Sequence, residues 1–257
     1  MTPKVSVILA THNGYQYLPY AIGSVLSQDY NNLELIIVDD GSTDDNTLKL
    51  LGSIHDDRVK IIKNEKQLSL AAALNKGIEA ASGEFIARID DDDEFISSSK
   101  IRLQIEFLVG HHDCVLVGTN MKMWDKDKNA EIMDTHYPAE DKSIKAVIMR
   151  YNPIVHSSVV FRASAFTKAG GYNPAYTYLQ DWDLWMRMGK IGKLANLSSV
   201  DVKWRTSQKR QYMKSAFKEL LATQICYEYR HIYPGAWPNI IRHYLRSGIF
   251  GLIGIFR

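Results

Sequence analysis

Cysteine is scarce in this sequence, and its scarcity excludes two ways of stabilising a small fold. The 257 residues include only Cys114 and Cys226, which lie far apart and in no metal-ligand spacing. A disulfide scaffold or a zinc module would need more cysteines at closer spacing. This usage is typical of a reducing compartment, so we expect a cytoplasmic protein.

Long apolar runs are missing as well. Val5–Ala10 is too short for the core of a signal peptide, and the turn residues Thr11–Gly14 follow it directly. The longest uncharged apolar stretch near the end, Ser247–Phe256, has ten residues, whereas a spanning helix needs about 20. We therefore expect no targeting signal and no membrane-spanning helix.

Glycine-rich phosphate loops and a large net charge are also absent. Neither G-x-G-x-x-G nor G-x-x-x-x-G-K-[ST] occurs, which argues against dinucleotide-binding folds and P-loop enzymes. The net charge is only +2, yet residues 200–257 carry ten Lys/Arg and three Asp/Glu. This basic end predicts an anionic surface or partner. Nucleic acid is not expected, because no recognition motif accompanies the charge.

A regular alternation of short apolar segments and amphipathic segments fills the first 110 residues. Strands are predicted at Val5–Ala10, Leu33–Val38, Val59–Lys63 and Glu84–Ile89, and helices at 15–28, 44–54, 70–81 and 97–109. The pattern predicts an α/β fold whose parallel sheet is flanked by helices on both faces.

The rest of the chain is less regular and predicts antiparallel additions to this sheet. The predicted strands are Cys114–Gly118, Ser158–Phe161 and Ser199–Trp204, with a hairpin over Met121–Ile132 and helices over Asp141–Met149 and Asp181–Met188.

Two helices are predicted at the C-terminal end, over Tyr212–Tyr229 and from Pro238 onward. The second has an apolar stripe formed by Ile240, Ile241, Tyr244, Leu245, Ile249, Leu252, Ile253 and Phe256. One interpretation packs this stripe on the main domain. The other places residues 238–257 on a membrane or a partner helix, and the near-total apolarity after Ile249 favours it. On a membrane, the residues turned towards anionic lipid would be Arg242, His243, Arg246 and Arg257.

Three strand ends carry polar side chains: Thr11–Gly14, Asp39–Asp44 and Asp90–Asp93. Ligands of open parallel sheets bind beyond the carboxyl ends of the strands, so we expect these segments to share one rim. Four adjacent aspartates repel one another. They favour a hard divalent cation, Mg²⁺ or Mn²⁺, that recruits a diphosphate. The alternative is a solvated acidic loop that caps the next helix.

The Asp39–Asp44 segment also has a simpler interpretation, as an Asp turn in which Ser42 or Thr43 caps a helix. Capping does not explain two carboxylates at the strand terminus. Carboxylates accept hydrogen bonds only, which suits the N–H of a base and the hydroxyls of a ribose.

Together these segments resemble the family 2 glycosyltransferases with the GT-A fold, of the bacterial surface-polysaccharide type. The resemblance covers residues 4–206 and is carried by Val5–Gly14, Ile37–Asp44, Asn64–Gly77, Gly83–Asp93, His156–Arg162, Gly170–Tyr172 and Gln180–Arg187. It implies a Rossmann-like, mostly parallel sheet with antiparallel additions and a helical tail. The implied catalytic domain is 1–206, with a nucleotide-sugar half over about 1–110 and an acceptor half over about 111–206; residues 207–257 form the tail.

The resemblance also implies a donor site. By it, the base and ribose contacts would be Thr11, His12, Asp39 and Asp40. Asp90 and Asp92 match the outer positions of the DXD motif, with Asp92 as the direct metal ligand. Asp91 would touch ribose or metal, and Arg88 would brace the acidic loop.

The same resemblance assigns catalysis to Asp181, which matches the family's catalytic base. Its alternative role is an N-cap for the helix that follows. His156 and Trp182 are acceptor-site candidates, although a lone histidine is more often a hydrogen-bonded structural residue. We expect Trp182 and Trp185 to be divided between the core and an acceptor platform.

Three departures from the family pattern weaken parts of this interpretation. Gln180 stands where relatives often have Glu, and Ala10 and His12 replace the commoner Pro and Tyr. Thr206-Ser207 stands where many relatives carry a metal-reaching His, so we expect either fewer protein ligands or a substitute from the tail.

The sequence therefore predicts an inverting, metal-dependent hexosyl- or N-acetylhexosaminyltransferase. Its donor would be a UDP-sugar, its acceptor a lipid-linked glycan, and its location the inner face of the cell membrane. Two alternatives remain: a metal-dependent nucleotidyl or phosphoryl transferase, and a non-catalytic protein that binds sugar nucleotides at a membrane.

Overall fold

The predicted apolar segments form a sheet at the centre of the fold. The computed structural model describes residues 2–206 and 215–255, and the side chains within 2–206 and 217–248. The strands are β1 (Val5–Thr11), β2 (Leu33–Asp39), β3 (Val59–Lys63), β4 (Phe85–Asp90), β5 (Glu94–Phe95), β6 (Cys114–Asp125), β7 (Ala130–Asp134), β8 (Val160–Arg162) and β9 (Lys193–Thr206). The helices are α1 (Leu18–Leu26), α2 (Asp45–Gly52), α3 (Leu70–Glu79), α4 (Lys100–Gly110), α5 (Asp141–Val147), α6 (Ala163–Ala169), α7 (Gln180–Gly189), α8 (Ser215–Glu228) and α9 (Ala236–Ile255).

The strand order is β3-β2-β1-β4-β8-β6-β9-β5, with β7 on β6. β1 pairs in parallel with β2 and β4, and β2 pairs in parallel with β3. β8 is antiparallel to β4 and β6, as expected for the second half. The register pairs Thr11 with Asp39 and Ala10 with Asp90, so three polar strand ends lie at one edge.

Each face of the sheet has its own hydrophobic core. Alternate residues of the parallel strands point to opposite faces. Ile8 and Ile36 face the core shared with α3 and α5 to α9, whereas Leu9 and Ile37 face the core shared with α1, α2 and α4. The C-terminal helices therefore pack on the opposite side of the sheet from α4.

Several elements differ from their predictions. β5 and α6 were not predicted, because β5 has two residues and α6 has seven, too short for a clear periodicity. β6 and β9 are much longer than predicted, because they pair with each other in parallel across three irregularities and carry partly polar sequences.

The C-terminal helices confirm the prediction of two helices but not their faces. α9 begins at Ala236, before the predicted start at Pro238, since proline is tolerated in a first turn. His243, predicted on the exposed face, is only 4% exposed, whereas Ile241 of the predicted apolar stripe is 57% exposed. Tyr212 and the side chains from Ile249 onward lie outside the described residues. Within the described ranges, no helix has the length and apolarity needed to cross a membrane.

Candidate active site

A cleft of about 540 Å³ lies at the carboxyl edge of the parallel strands. Its volume is in the range typical of small-molecule sites. Its lining residues come from the β1, β2 and β4 ends, α3 and the loop before it, the β6–β7 turn, the loop before α7, the end of β9 and α8. They are Ala10, Thr11, His12, Asp40, Gln67, Leu68, Leu70, Ala73, Asp90, Asp91, Asp92, Lys126, Tyr178, Trp204, Arg205, Thr206 and Lys218. Six of the sequence-predicted donor residues thus share one cleft.

The β1 end is locked against the acidic segment after β4. Thr11 Oγ1 donates to Asp91 Oδ2 at 2.6 Å. A Cβ on Gly14 would lie 2.2 Å from Asp91 Oδ2 and 2.4 Å from Thr11 Oγ1, so only glycine fits at this approach. His12 Nδ1 lies 2.9 Å from the Asp40 carbonyl oxygen, which fixes the ring at the cleft wall.

In the Asp39–Asp44 turn, the carboxylates of Asp39 and Asp40 accept hydrogen bonds from neighbouring N–H groups. Asp39 is 2% exposed, and its Oδ1 accepts from the Ser42 N–H at 2.9 Å. Asp40 Oδ1 accepts from Asn64 Nδ2 at 2.7 Å and from the Leu68 N–H at 3.0 Å. Asp39 thus lies beneath the cleft and supports the turn, while Asp40 lines the cleft.

The helix that follows is capped by a different residue from the two predicted. Asp44 caps α2 by accepting from the Thr47 N–H, whereas Ser42 accepts from the Asn13 N–H. Gly41 has φ +73°, and a Cβ there would lie 2.6 Å from the Gln67 nitrogen, so the turn depends on glycine.

The Asp90–Asp93 loop is arranged around Ser157, which lies in a 3₁₀ turn over His156–Ser158. Ser157 Oγ accepts from Arg88 Nη1 at 3.0 Å and from the Asp90 N–H at 3.1 Å, and it contacts the carboxylates of Asp90 and Asp93. Arg88 is 2% exposed and pairs with Asp90. The brace predicted for Arg88 is therefore present, with Ser157 as an unpredicted second support.

Burial and like charge shift the pKa values in this loop in different directions. Burial raises the pKa of Asp91 to about 6, aided by Asp92 and Asp90. Burial also raises the pKa of Asp93, which is fully buried beneath Arg205. At Asp90 burial acts in the same direction, but the Arg88 guanidinium outweighs it and lowers the pKa. Such crowding is what a bound cation would relieve.

The acidic loop fits a divalent cation only if a substrate supplies further ligands. Carboxylate oxygens suit Mg²⁺ or Mn²⁺, and Asp90, Asp91 and Asp92 all line the cleft. Within residues 2–206 and 215–255, no group of three His, Cys, Asp or Glu side chains is arranged to hold a metal. Mg²⁺ often binds through one or two carboxylates and substrate phosphates, and this donor set is compatible with that mode.

Asp181 lies at the start of α7 and is not among the residues that line the cleft. Its Oδ2 accepts from Asn152 Nδ2 at 2.8 Å. Burial raises the pKa of Asp181, and the negative charge of Asp90 raises it further, whereas Arg88 acts to lower it. The Asp181 carboxylate therefore interacts electrostatically with the acidic loop. Leu179, two residues earlier, has φ +61°, an uncommon conformation for a bulky residue. The chain thus enters α7 through a strained turn that sets the direction of Asp181.

The two acceptor candidates have structural surroundings. His156 Nε2 lies 2.8 Å from the Tyr172 hydroxyl oxygen, and burial lowers the pKa of His156, so it is neutral at pH 7. Trp182 is 3% exposed and donates from Nε1 to the Ile148 carbonyl at 2.7 Å, and Trp185 is fully buried. The prediction that one of these tryptophans forms an exposed acceptor platform is wrong, because both side chains belong to the core.

Sequence reasoning missed the cations around the acidic loop. Lys126 Nζ lies 3.7 Å from Asp92 Oδ2. Arg205 donates to the Asp92 carbonyl at 3.1 Å and to Glu94 Oε2 at 2.6 Å. Lys218 lies over the Tyr178 ring at 5.2 Å. The three cations lie 33, 112 and 125 residues after Asp93 in the chain. No local sequence pattern therefore predicts that they approach the cleft.

Comparison with known proteins decides the family. The sequence model described as "Glycosyl transferase family 2" matches residues 6–170. This chain belongs to glycosyltransferase family 2. The glycosyltransferase is also 33% identical over 236 residues to the putative glycosyltransferase EpsE of Bacillus subtilis, covering 87% of this chain and 82% of that protein. An uncharacterized glycosyltransferase of Haemophilus influenzae is 32% identical over 214 residues, which cover 79% of this chain and 65% of the relative's length.

A relative with a more specific name comes from Escherichia coli. It is the UDP-Glc:alpha-D-GlcNAc-diphosphoundecaprenol beta-1,3-glucosyltransferase WfgD, 28% identical over 221 residues, with coverage of 84% of this chain and 82% of the relative.

Two solved structures show that the fold is GT-A. S. aureus TarS 1-349 in complex with UDP-GlcNAc matches with a TM-score of 0.73 and 18% identity, covering 95% of this chain and 72% of TarS 1-349. The mannosyltransferase PcManGT from Pyrobaculum calidifontis, in complex with GDP-Man and Mn²⁺, matches with a TM-score of 0.70 and 13% identity, covering 99% of this chain and 76% of that chain.

Proposed function

We propose that this glycosyltransferase moves a sugar from a UDP-sugar to a hydroxyl group of a lipid-linked glycan in surface-polysaccharide biosynthesis, with inversion at the anomeric carbon. The observation that carries the proposal is the shared cleft, which is lined by Thr11, Asp40 and Asp90–Asp92 together with Lys126 and Arg205. Hydrogen-bond acceptors suit a nucleoside, and cations suit a diphosphate.

The nucleoside would bind at the β1 and β2 ends. Asp40 and His12 line this part of the cleft, and Thr11 fixes the position of Asp91 beside them. Asp39 would act through the turn that it holds, because its carboxylate is buried beneath the cleft. The donor named in TarS and in WfgD is a UDP-sugar, which favours uracil here.

The diphosphate would lie beside Asp92, Lys126 and Arg205, which all line the cleft. Asp92 and the substrate would hold Mg²⁺ or Mn²⁺, which stabilises the charge that develops on the departing diphosphate. The structure of PcManGT with Mn²⁺ supports this use of a metal in the same fold. Lys126 and Arg205, which both lie next to Asp92, would contribute further positive charge.

Asp181 would act as the general base. The acceptor oxygen attacks the anomeric carbon, the bond from that carbon to the diphosphate oxygen breaks, and the hydroxyl proton passes to Asp181. One displacement inverts the configuration and needs no covalent partner. The Asn152 amide holds the carboxylate in place, and the raised pKa increases its affinity for the proton.

The expected place of action is the inner face of the cell membrane, where a lipid-linked acceptor is accessible to a cytoplasmic enzyme. WfgD is named for an acceptor attached to diphosphoundecaprenol, and this supports a similar class of acceptor. The tail, residues 207–257, would provide the contact with the membrane, while residues 1–206 perform the transfer.

The test is a donor panel with a diphosphoundecaprenol-linked sugar as acceptor, in Mn²⁺ and in EDTA. We expect free UDP and a glycosylated lipid, formed only with metal. Pyrophosphate or a monophosphate among the products would instead indicate a nucleotidyl or phosphoryl transferase. Asp181→Asn should abolish transfer while UDP-sugar affinity stays within twofold. If wild type binds the donor but transfers nothing to any acceptor, the catalytic proposal is wrong.

A further inference from the structure

The outer face of the C-terminal hairpin, formed by α8 and α9, is covered with large apolar side chains. Between 50% and 63% of the surface of each is exposed, a high value for tyrosine, tryptophan and leucine side chains that lie side by side. This outer face consists of Phe217, Leu220, Tyr227, Trp237, Ile241, Tyr244 and Leu245.

These side chains form one continuous surface across both helices. The rings of Tyr227 on α8 and Trp237 on α9 contact each other edge to face, with centroids 6.4 Å apart. On each helix the exposed residues recur at helical spacing, so they lie along one side. The opposite side of the hairpin is buried: Ile225, Cys226 and Ile240 belong to the core beneath the sheet.

A buried histidine fixes the rotation of α9 and so decides which residues point outward. His243 Nδ1 lies 2.6 Å from Glu219 Oε2, and its ring contacts Trp182 with centroids 5.8 Å apart. With His243 turned inward, Ile241, Tyr244 and Leu245 must point away from the domain. The polar residue therefore packs on the protein, and the apolar residues are left outside.

Cations accompany the outer face. Arg230 lies over the Tyr227 ring at 3.9 Å, and Lys218 lies over the Tyr178 ring at 5.2 Å, at the two ends of α8. Arg242 follows Ile241 on α9 and is half-buried. Of the two acidic residues on this hairpin, Glu219 is turned inward to His243. Glu228 is exposed and accepts from the Tyr176 hydroxyl.

We propose that this outer face is a docking surface for a bilayer that contains anionic phospholipid. Tyrosine and tryptophan favour the boundary between headgroups and acyl chains, aliphatic side chains insert below it, and arginine and lysine attract anionic headgroups. A second copy of the chain fits less well, because a two-fold contact would bring the same cations together.

The position of the surface gives it a use in the reaction. Phe217, at one end of the outer face, contacts the Tyr178 ring, and Tyr178 and Lys218 line the cleft. Docking would therefore place the mouth of the cleft next to the headgroup layer. The docking face rests on the proposed function, since it would make the membrane contact assigned there to the tail, and it would deliver a lipid-linked acceptor along this route.

The experiment is co-sedimentation of the full chain with vesicles of phosphatidylglycerol and phosphatidylethanolamine. We expect Ile241→Ser/Tyr244→Ser/Leu245→Ser to lower the partition coefficient at least tenfold. The matched control is Leu103→Ser/Val109→Ser, which removes exposed apolar side chains from α4 on the other face of the sheet. This control should bind like wild type.

Two further readouts separate the possible occupants. Arg230→Gln/Arg242→Gln should weaken binding to these vesicles several-fold and remove most of the preference over pure phosphatidylcholine. UDP-sugar affinity should be unchanged in every variant, and so a failure of donor binding would count against the proposed function alone. The docking proposal is overturned if the triple serine variant binds vesicles like wild type. It is also overturned if wild type is a dimer and the triple variant a monomer.

Discussion

Two acidic segments lie at the same edge of the sheet, and the structure supports them in different ways. In the Asp39–Asp44 turn, each carboxylate that is buried accepts hydrogen bonds from nearby N–H groups, such as those of Ser42 and Leu68. In the Asp90–Asp93 loop, the partners are Arg88 and Ser157, together with the distant Arg205.

The Asp39–Asp44 turn is therefore held rigidly by hydrogen bonds, whereas the Asp90–Asp93 loop is under electrostatic repulsion. Backbone N–H groups hold a carboxylate without adding a net charge. The Asp90–Asp93 loop instead concentrates four carboxylates and raises the pKa of Asp91 to about 6. A turn of the first kind is suited to recognising a nucleoside, whereas a loop of the second kind gains stability when a cation binds.

The largest expected effect on activity comes from replacing one aspartate by asparagine in each of the two acidic segments. Asp92→Asn removes a proposed metal ligand, so we expect kcat/KM to fall by about 10²–10⁴-fold and the Mn²⁺ concentration for half-maximal activity to rise. Asp40→Asn should raise the donor KM by about tenfold, or about 1.4 kcal/mol, with little change in kcat. Steady-state kinetics over a metal titration measures both. Equal losses in the two variants would remove the distinction between the segments.

A pair of serine variants compares the two supports directly. Ser157→Ala leaves buried Asp93 and Arg88 without a shared partner, so we expect the free energy of unfolding to fall by about 3 kcal/mol. Ser42→Ala removes the side-chain acceptor of the N–H of Asn13, an exposed residue, and should cost about 1 kcal/mol or less. Urea unfolding at pH 7.5 measures both. A smaller loss for Ser157→Ala than for Ser42→Ala would contradict the hub role of Ser157.

Two lysines on one hairpin turn test the cations near the acidic loop. Lys126 lies 3.7 Å from Asp92, whereas Lys128 pairs loosely with Asp125 and its side chain is 67% exposed. We expect Lys126→Met to weaken UDP binding by about tenfold at low salt. Lys128→Met carries the same charge change and should leave the dissociation constant unchanged, as isothermal titration calorimetry would show. If both variants weakened UDP binding equally, the net positive charge of the turn would matter and the position of Lys126 beside Asp92 would not.

The smallest effect concerns a buried lysine on the helix that follows the acidic loop. Lys100 is fully buried, donates to Gln104 Oε1 at 2.8 Å, and burial lowers its pKa to about 7. Between this value and the ordinary value near 10.5, the unfolded chain binds more protons than the folded chain. The free energy of unfolding should therefore rise with pH in that window.

Lys100→Met removes this titration. We expect the wild-type free energy of unfolding to gain about 1 kcal/mol relative to the variant between pH 7 and pH 8. The exposed Lys63→Met is the control and should follow wild type throughout, in urea titrations at both pH values. A difference between wild type and Lys100→Met that does not change with pH would argue against a neutral buried amine.

The sheet and the gathering of donor residues could be predicted from the sequence for one physical reason. Apolar runs such as Val5–Ala10 are recognisable as buried strands, and the carboxyl ends of parallel strands meet at one edge. Thr11, Asp40 and Asp92 therefore share the cleft as expected. These features could be predicted because a buried strand and the polar residues that follow it are both encoded in a short stretch of sequence.

What the sequence could not predict depends on long-range register and competition for burial. The approach of Lys126 to Asp92 is set by the pairing of β6 with β9, including its irregularities. Helical periodicity placed His243 outside, but Glu219 and the Met149 carbonyl give both ring nitrogens a partner inside. Trp182 likewise is buried because the Ile148 carbonyl accepts its N–H.

The cleft takes its lining from Ala10 at one end of the chain to Lys218 near the other, which has a consequence for synthesis on the ribosome. β1 to β4 are close in sequence and are able to pair early, since domains fold from the N-terminal end as the chain emerges. Their acidic edge is then complete long before β9 delivers Arg205. A nascent chain therefore carries the Asp90–Asp93 carboxylates with Arg88 already beside Asp90, but without the Arg205 backbone N–H from which buried Asp93 accepts in the complete fold.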